Sequence, residues 1–176
     1  GDILHAPAPT NVEQFFDRSE IIVSKTDLKG RITYANRTFA RLAGYSEAEL
    51  LGQPHSIIRH PDMPRAVFKL LWDTLAERNE VFAYVKNLAR DGSFYWVFAH
   101  VTPSMDADQN VVGYHSNRRV PRREVVSNVI EPLYASLLAE ENAVANKKEG
   151  LARSSKMLTD IIRSKARSYD ELIFSL

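Results

Sequence analysis

The stretch Gly52–Trp72 reads GQPHSIIRHPDMPRAVFKLLW and sets Arg59, His60 and Asp62 among apolar residues and the prolines Pro54, Pro61 and Pro64. Charged groups in such company are usually held by neighbours and not solvated. Each proline fixes φ at roughly −65°, removes a backbone donor and steers the preceding residue away from helix. The polar side chains therefore stand on a stiff, non-repetitive backbone until a helix begins near Pro64, which is how a pocket wall is built. The same residues also read as an ordinary loop in which Arg59 and Asp62 pair locally.

Downstream, Val67, Leu70, Leu71, Trp72 and Leu75 recur at intervals of three and four, which predicts an amphipathic helix over 64–78 with Trp72 near its inner face. Three strands are expected next, at Val81–Leu88, Ser93–Met105 and Val111–Arg118, joined by turns at Arg90-Asp91-Gly92 and at 106–110. Tyr95 and Trp96 are neighbours on a strand, so at most one of them faces a pocket. Upstream, Ile21–Thr26 and Arg31–Ala35 form a hairpin through Asp27-Leu28-Lys29-Gly30. Asn36 caps a helix that ends at Gly44, and Ser46 with Glu49 makes a capping box. A short helix is expected at Val12–Asp17 after an irregular lead. Together these elements predict an α+β fold, a five-stranded antiparallel half-barrel with flanking helices.

The remainder reads differently. Val125, Val129, Leu133, Leu137 and Leu138 repeat at helical spacing, with Pro132 set to kink or restart the helix. Leu151, Leu158, Ile161 and Ile162 do the same, and Ser168 with Glu171 is a second capping box. The division expected is a lead over 1–19, a half-barrel domain over 20–120 and a helical association segment over 121–176. The apolar stripes of that last segment fold back on the half-barrel, pair with a second copy or dock on another protein; periodicity does not choose among them.

Composition removes several classes of function. A chain of 176 residues with 44% hydrophobic and 26% charged residues buries one core and leaves room for an appendage. Net charge is +1, and the cluster Arg118, Arg119, Arg122, Arg123 has no interleaved aromatics, which argues against nucleic acid. With no cysteine there is no disulfide, no thiolate metal site and no cysteinyl-flavin adduct. No apolar run approaches the ~20 residues that span a bilayer, so a cytoplasmic protein is expected. No nucleophile triad, carboxylate pair, phosphate loop or metal-ligand cluster is recognisable, and a non-enzymatic function follows.

The motifs Tyr34-Ala35-Asn36, Gly44-Tyr45-Ser46, Arg59-His60-Pro61-Asp62-Met63-Pro64, Leu71-Trp72, Val85-Lys86-Asn87 and Asp91-Gly92 resemble a PAS domain, and specifically the flavin-binding PAS domains of bacterial aerotaxis and energy-taxis sensors. The resemblance covers roughly residues 20–120. It implies noncovalent FAD and cofactor-binding roles for Asn36, Arg59, His60, Asp62, Trp72 and Asn87. An isoalloxazine ring requires apolar and aromatic walls, which Trp72 suits, and amides at its pyrimidine edge, which Asn87 supplies as donor and acceptor. Arg59 and His60 suit phosphates or hold Asp62 in place. Where the best-known receptors carry Trp, Arg and Asn, this chain has Val81, Phe98 and His100, and the run Tyr95–Ala99 is closer to PAS-only relatives that work beside a separate receptor. A homodimer that signals to a chemotaxis-type receptor or another transducer is the expectation. Two further readings stand beside it: a haem-binding gas sensor ligated through His100 or His115, and a cofactor-free PAS dimerisation module.

Overall fold

The computed structural model describes residues 4–166 and 169–176. The capping box expected at Ser168 and Glu171 starts at a residue outside the described ones. Local chemistry starts each element. The Asp27 carboxylate accepts from the backbone N–H of Lys29 at 2.9 Å and of Arg31 at 3.0 Å, which turns β1 (Ile22–Asp27) back into β2 (Ile32–Ala35). Asn36 accepts from the Phe39 N–H and so begins α1 (Arg37–Ala43), which Gly44 ends in the left-handed region. The Ser46–Glu49 capping box opens α2 (Glu47–Leu50), as the sequence predicts. A 3-10 turn at His55–Ile58 and the proline segment lead into α3 (Arg65–Ala76).

β3 (Val81–Leu88), β4 (Phe94–Met105) and β5 (Val111–Arg119) follow as consecutive antiparallel strands. The sheet order is β2-β1-β5-β4-β3, so the last strand lies in the centre beside the first. Pairing runs from Val81 opposite Val101 to Leu88 opposite Phe94, and from Ile22 opposite Arg118 to Asp27 opposite Gly113. A bulge between Ser104 and Met105 shifts the β4–β5 register near its end. The half-barrel expected from the sequence is present, with the helices of residues 37–76 closing one of its faces.

Val12–Asp17 is not a helix. Its backbone is drawn onto the sheet instead: Phe94 donates to the Val12 carbonyl at 2.9 Å and Gln14 donates to the Phe94 carbonyl at 2.7 Å. Six residues are too few for a helix that has no partner face of its own. The lead also passes over Gly92, whose φ is +88° and where any Cβ would stand 2.3 Å from the Ala8 carbonyl oxygen.

The C-terminal segment folds back on the half-barrel. It comprises α4 (Arg123–Val125), a π turn at Val126–Ile130, α5 (Glu131–Asn142), α6 (Lys147–Lys165) and α7 (Tyr169–Ser175). The π turn ends two residues before Pro132, whose missing N–H falls in the first turn of α5. Tyr134 donates to the Tyr84 carbonyl at 2.6 Å and packs its ring on Trp96, and Phe174 meets Phe82 edge-on at 4.8 Å. Val125, Val126, Ile130, Tyr134, Leu137, Leu158 and Ile162 are buried in the same apolar core as the sheet. No described helix is long and apolar enough to cross a membrane.

Candidate functional site

Strand alternation builds a cavity between the sheet and α3. Ser24 and Thr26 of β1, Val85 and Asn87 of β3, Ala99 and Val101 of β4, and Tyr114, Ser116 and Arg118 of β5 all point to its inner side. His55, Ile58 and Arg59 from the proline segment, with Phe68, Leu71 and Trp72 of α3, form the opposite wall. The cavity measures about 470 Å³, within the roughly 300–1,000 Å³ range of small-molecule sites. Its walls are mainly apolar, and a few polar groups converge at one side.

Those polar groups centre on Arg118, which is only 3% exposed. Its Nη1 donates to Ser24 Oγ at 2.9 Å and to Ser116 Oγ at 3.0 Å and lies 3.2 Å from His55 Nε2, and the guanidinium lies 4.7 Å over the Phe39 ring. Arg118 Nε and Nη2 are buried and have no hydrogen-bond partner. No carboxylate among the described residues pairs with it. Burial lowers the guanidinium to about 10, so it remains a cation at neutral pH. Burial, and then the neighbouring Arg118 and Arg59 charges, push His55 down to about 3, which keeps the imidazole neutral. Its single Nε2 lone pair then accepts from the Ser24 hydroxyl, which itself accepts from Arg118, and the proton resides on Nδ1; this tautomer is assigned from the network.

Asn87 lies across the cavity on β3, 3% exposed, and its Nδ2 is a second buried donor without a partner. A backbone bridge ties Asn87 to Arg59, whose guanidinium lies 3.8 Å over the Phe68 ring. An unpartnered buried donor costs roughly 1–3 kcal/mol and an unpaired buried charge more. Two residues of the cavity lining on different strands, Arg118 and Asn87, therefore carry three unsatisfied donor atoms, and the chemistry fits a largely apolar molecule with hydrogen-bond acceptors.

Of the six residues singled out by sequence, Arg59, Trp72 and Asn87 line this cavity and Asn36, His60 and Asp62 do not. Asn36 is occupied as a brace: besides capping α1 it accepts from the Val23 N–H at 3.1 Å and donates to the Ile21 carbonyl at 2.9 Å. Buried His60 accepts from the Asp62 N–H at 3.0 Å and sets its ring edge-on to Phe94. Asp62 pairs with Lys86 at 2.9 Å, while Arg59 faces elsewhere, so the local Arg59–Asp62 pair does not form. Trp72 stands at the rim of the cavity, 39% exposed and edge-on to Tyr114 at 5.1 Å, not at the inner face of α3. The inner positions of that helix belong to Val67, Leu71 and Leu75.

His100 and His115 lie outside the cavity. The former meets Glu80 at 3.0 Å and stacks on Phe82, and the latter bonds to Asn117. Tyr95 and Trp96 do not line it either; Trp96 faces Tyr134 on the other side of the sheet. The residues that periodicity missed are His55, Ser24, Ser116 and Arg118. Arg118 reads in sequence as part of an arginine cluster, yet its spacing of two from Ser116 and four from Tyr114 put it on their face of β5.

Sheet order, the helices between β2 and β3 and an internal cavity define a half-barrel with a cavity of small-molecule size between its sheet and α3. The PAS fold family matches residues 10–116, and the chain belongs to that family. It is 42% identical over 118 residues to the aerotaxis receptor of Escherichia coli (strain K12), an alignment that covers 67% of this chain and 23% of the receptor. It is 33% identical over 103 residues to the nitrogen fixation regulatory protein of Klebsiella pneumoniae, covering 58% and 21% of the two chains. The chain thus spans less than a quarter of the length of these relatives. Among solved structures, the light state of the blue-light photoreceptor Aureochrome1 LOV aligns with a TM-score of 0.53 and 26% identity, covering 70% of this chain and 91% of that one. The chain thus carries a PAS domain over residues 10–116, similar in sequence to part of the aerotaxis receptor.

Proposed function

We propose that this protein is a cytoplasmic redox or energy sensor of the aerotaxis type. It holds FAD noncovalently in the cavity between the sheet and α3 and passes its state to a chemotaxis-type receptor or another transducer. The observation that carries this reading is the set of unpartnered donors, Asn87 Nδ2 with Arg118 Nε and Nη2, on two residues that line a mainly apolar cavity. The pyrimidine edge of an isoalloxazine presents carbonyl oxygens and ring nitrogens in one plane, and a guanidinium and an amide suit that acceptor set. The flavin supplies the redox chemistry when bound.

The roles of the residues follow from their places. Asn87 holds the pyrimidine edge, Arg118 offers its open donors from across the cavity, and Phe68, Leu71 and Val85 flank the ring plane. Trp72 and Tyr114 bound the mouth. Asn36, His60 and Asp62 support the wall from outside by fixing α1 and the segment that carries Arg59. His55, held neutral, keeps Arg118 oriented without opposing an acceptor-rich ligand by a second positive charge. Residues 20–120 form the sensor, the lead over 1–19 straps it, and 121–176 transmit the signal within a homodimer. Gently purified protein should be yellow and release FAD on denaturation. A colourless preparation that takes up no added FAD under native conditions would refute the assignment.

A further inference from the structure

The first turn of α3 lacks a cap of its own. Pro64 precedes it and offers no side-chain acceptor, so the N–H groups of Arg65 and Ala66 would be left open. They are satisfied from far along the chain. Glu141, near the end of α5, accepts from Arg65 N–H at 3.0 Å and from Ala66 N–H at 2.9 Å. The same carboxylate accepts from the Ser154 hydroxyl of α6 at 2.9 Å and lies 3.5 Å from the Arg65 guanidinium, which in turn donates to the Lys147 carbonyl at 2.9 Å. Glu141 is 3% exposed. A buried carboxylate with this many partners is placed, not accidental.

Close packing fixes the same junction. Gly150 of α6 faces the Glu141 carbonyl oxygen, and a Cβ there would stand 2.2 Å from that atom. Helices α5 and α6 therefore meet at the start of α3 with backbone against backbone. One turn into α3 from Arg65 comes Phe68, then Leu71 and Trp72, all on the cavity. On the other side α5 holds β3, because the Tyr134 hydroxyl donates to the Tyr84 carbonyl, one residue from Val85 and three from Asn87, both on the cavity.

We propose that α5 and α6 form a strap across the two walls of the cavity, closed on α3 by Glu141 and on β3 by Tyr134, so that cavity occupancy and strap docking stabilise each other. The proposal rests on the reading of the cavity as a ligand site. An occupant that bridges α3 and β3 fixes their separation, and the strap spans that same separation. Coupling of this kind is reciprocal: what the ligand does to the strap, loss of the strap must do to ligand affinity by the same factor. The π turn at Val126–Ile130 lies just before the strap and supplies an irregular helical turn about which it can move.

The test is hydrogen exchange with peptide resolution on the full chain, with and without FAD, alongside FAD titration of variants. FAD should slow exchange across residues 131–165 about tenfold, and Glu141→Ala should bind FAD about tenfold more weakly, in the middle of the range for coupled sites. Glu141→Gln keeps one acceptor and should fall between. Tyr134→Phe, which keeps the ring and loses only the bond to β3, carries the test if Glu141→Ala does not fold. FAD binding that leaves exchange in 131–165 and the variants' affinities unchanged would overturn the strap. If the parent chain takes no FAD, the flavin reading fails, and Ala99→Leu, which places extra carbons in the cavity, decides the strap alone. Slower exchange in 131–165 upholds it, and unchanged or faster exchange overturns it.

Discussion

Two buried charges in this protein are equally hidden and oppositely treated. Glu141 and Arg118 are each 3% exposed. Around Glu141 two backbone N–H groups, a serine hydroxyl and a guanidinium converge on one carboxylate. Around Arg118 two hydroxyls serve a single nitrogen, and Nε and Nη2 have nothing. A charge satisfied on all sides is a staple between helices. A charge satisfied on one side only, at the wall of a cavity, suits the proposed binding role, in which a ligand would supply its remaining partners.

The sharpest way to break this comparison is to remove each charge. Glu141→Ala should cost the ligand-free protein about 3 kcal/mol, because it strands the Arg65 and Ala66 amides in the interior. Arg118→Met should leave ligand-free stability within about 1 kcal/mol of the parent, since a poorly paired buried cation contributes little. It should weaken flavin binding by roughly 3 kcal/mol, about a hundredfold in Kd. Urea unfolding and flavin titration measure the two quantities. Equal losses of stability in both variants would erase the distinction.

His55 sharpens the same contrast through pH. Its pKa falls from the ordinary value of 6.5 to about 3 in the folded protein. Between those values the unfolded chain binds the proton and the folded chain does not, so stability rises with pH through the window and is flat above it. From pH 5 to 6.5 His55 alone should contribute roughly 1.5 kcal/mol. Burial also lowers His60, which adds in the same direction. The difference between the parent and His55→Gln isolates His55, and identical pH profiles of urea midpoint would show that its ring is already solvated.

Trp72 provides the smallest effect. Because it is 39% exposed at the rim and held by Tyr114, Trp72→Ala should cost about 1 kcal/mol, roughly a fivefold faster loss of cofactor. A loss as large as that of Arg118→Met, read by gel filtration of the loaded protein, would move Trp72 from the mouth to the ring-binding wall.

Short-range chemistry fixed much of the architecture by itself. The Asp27–Gly30 turn, the Asn36 and Ser46 caps, the stop at Gly44 and the alternation of β3 to β5 depend on residues within a few positions of one another, and all were legible. The proline segment announced a held wall and placed Arg59 at the cavity. Other matters belong to the tertiary structure. Asn36 and Asp62 are satisfied by Ile21, Val23 and Lys86, partners that no local pattern predicts, and so they brace the wall and do not line it. Arg118 is distinguished from Arg119 by the face of β5 on which it falls, and from Arg122 and Arg123 because the strand has ended before them. The stripes of 125–162 offered three destinations, and the choice was made by a carboxylate at Glu141 reaching amides 75 and 76 residues away. Hydrogen-bond satisfaction is a property of three-dimensional neighbours, so a sequence shows which groups must be satisfied and only the fold shows which are left for a ligand.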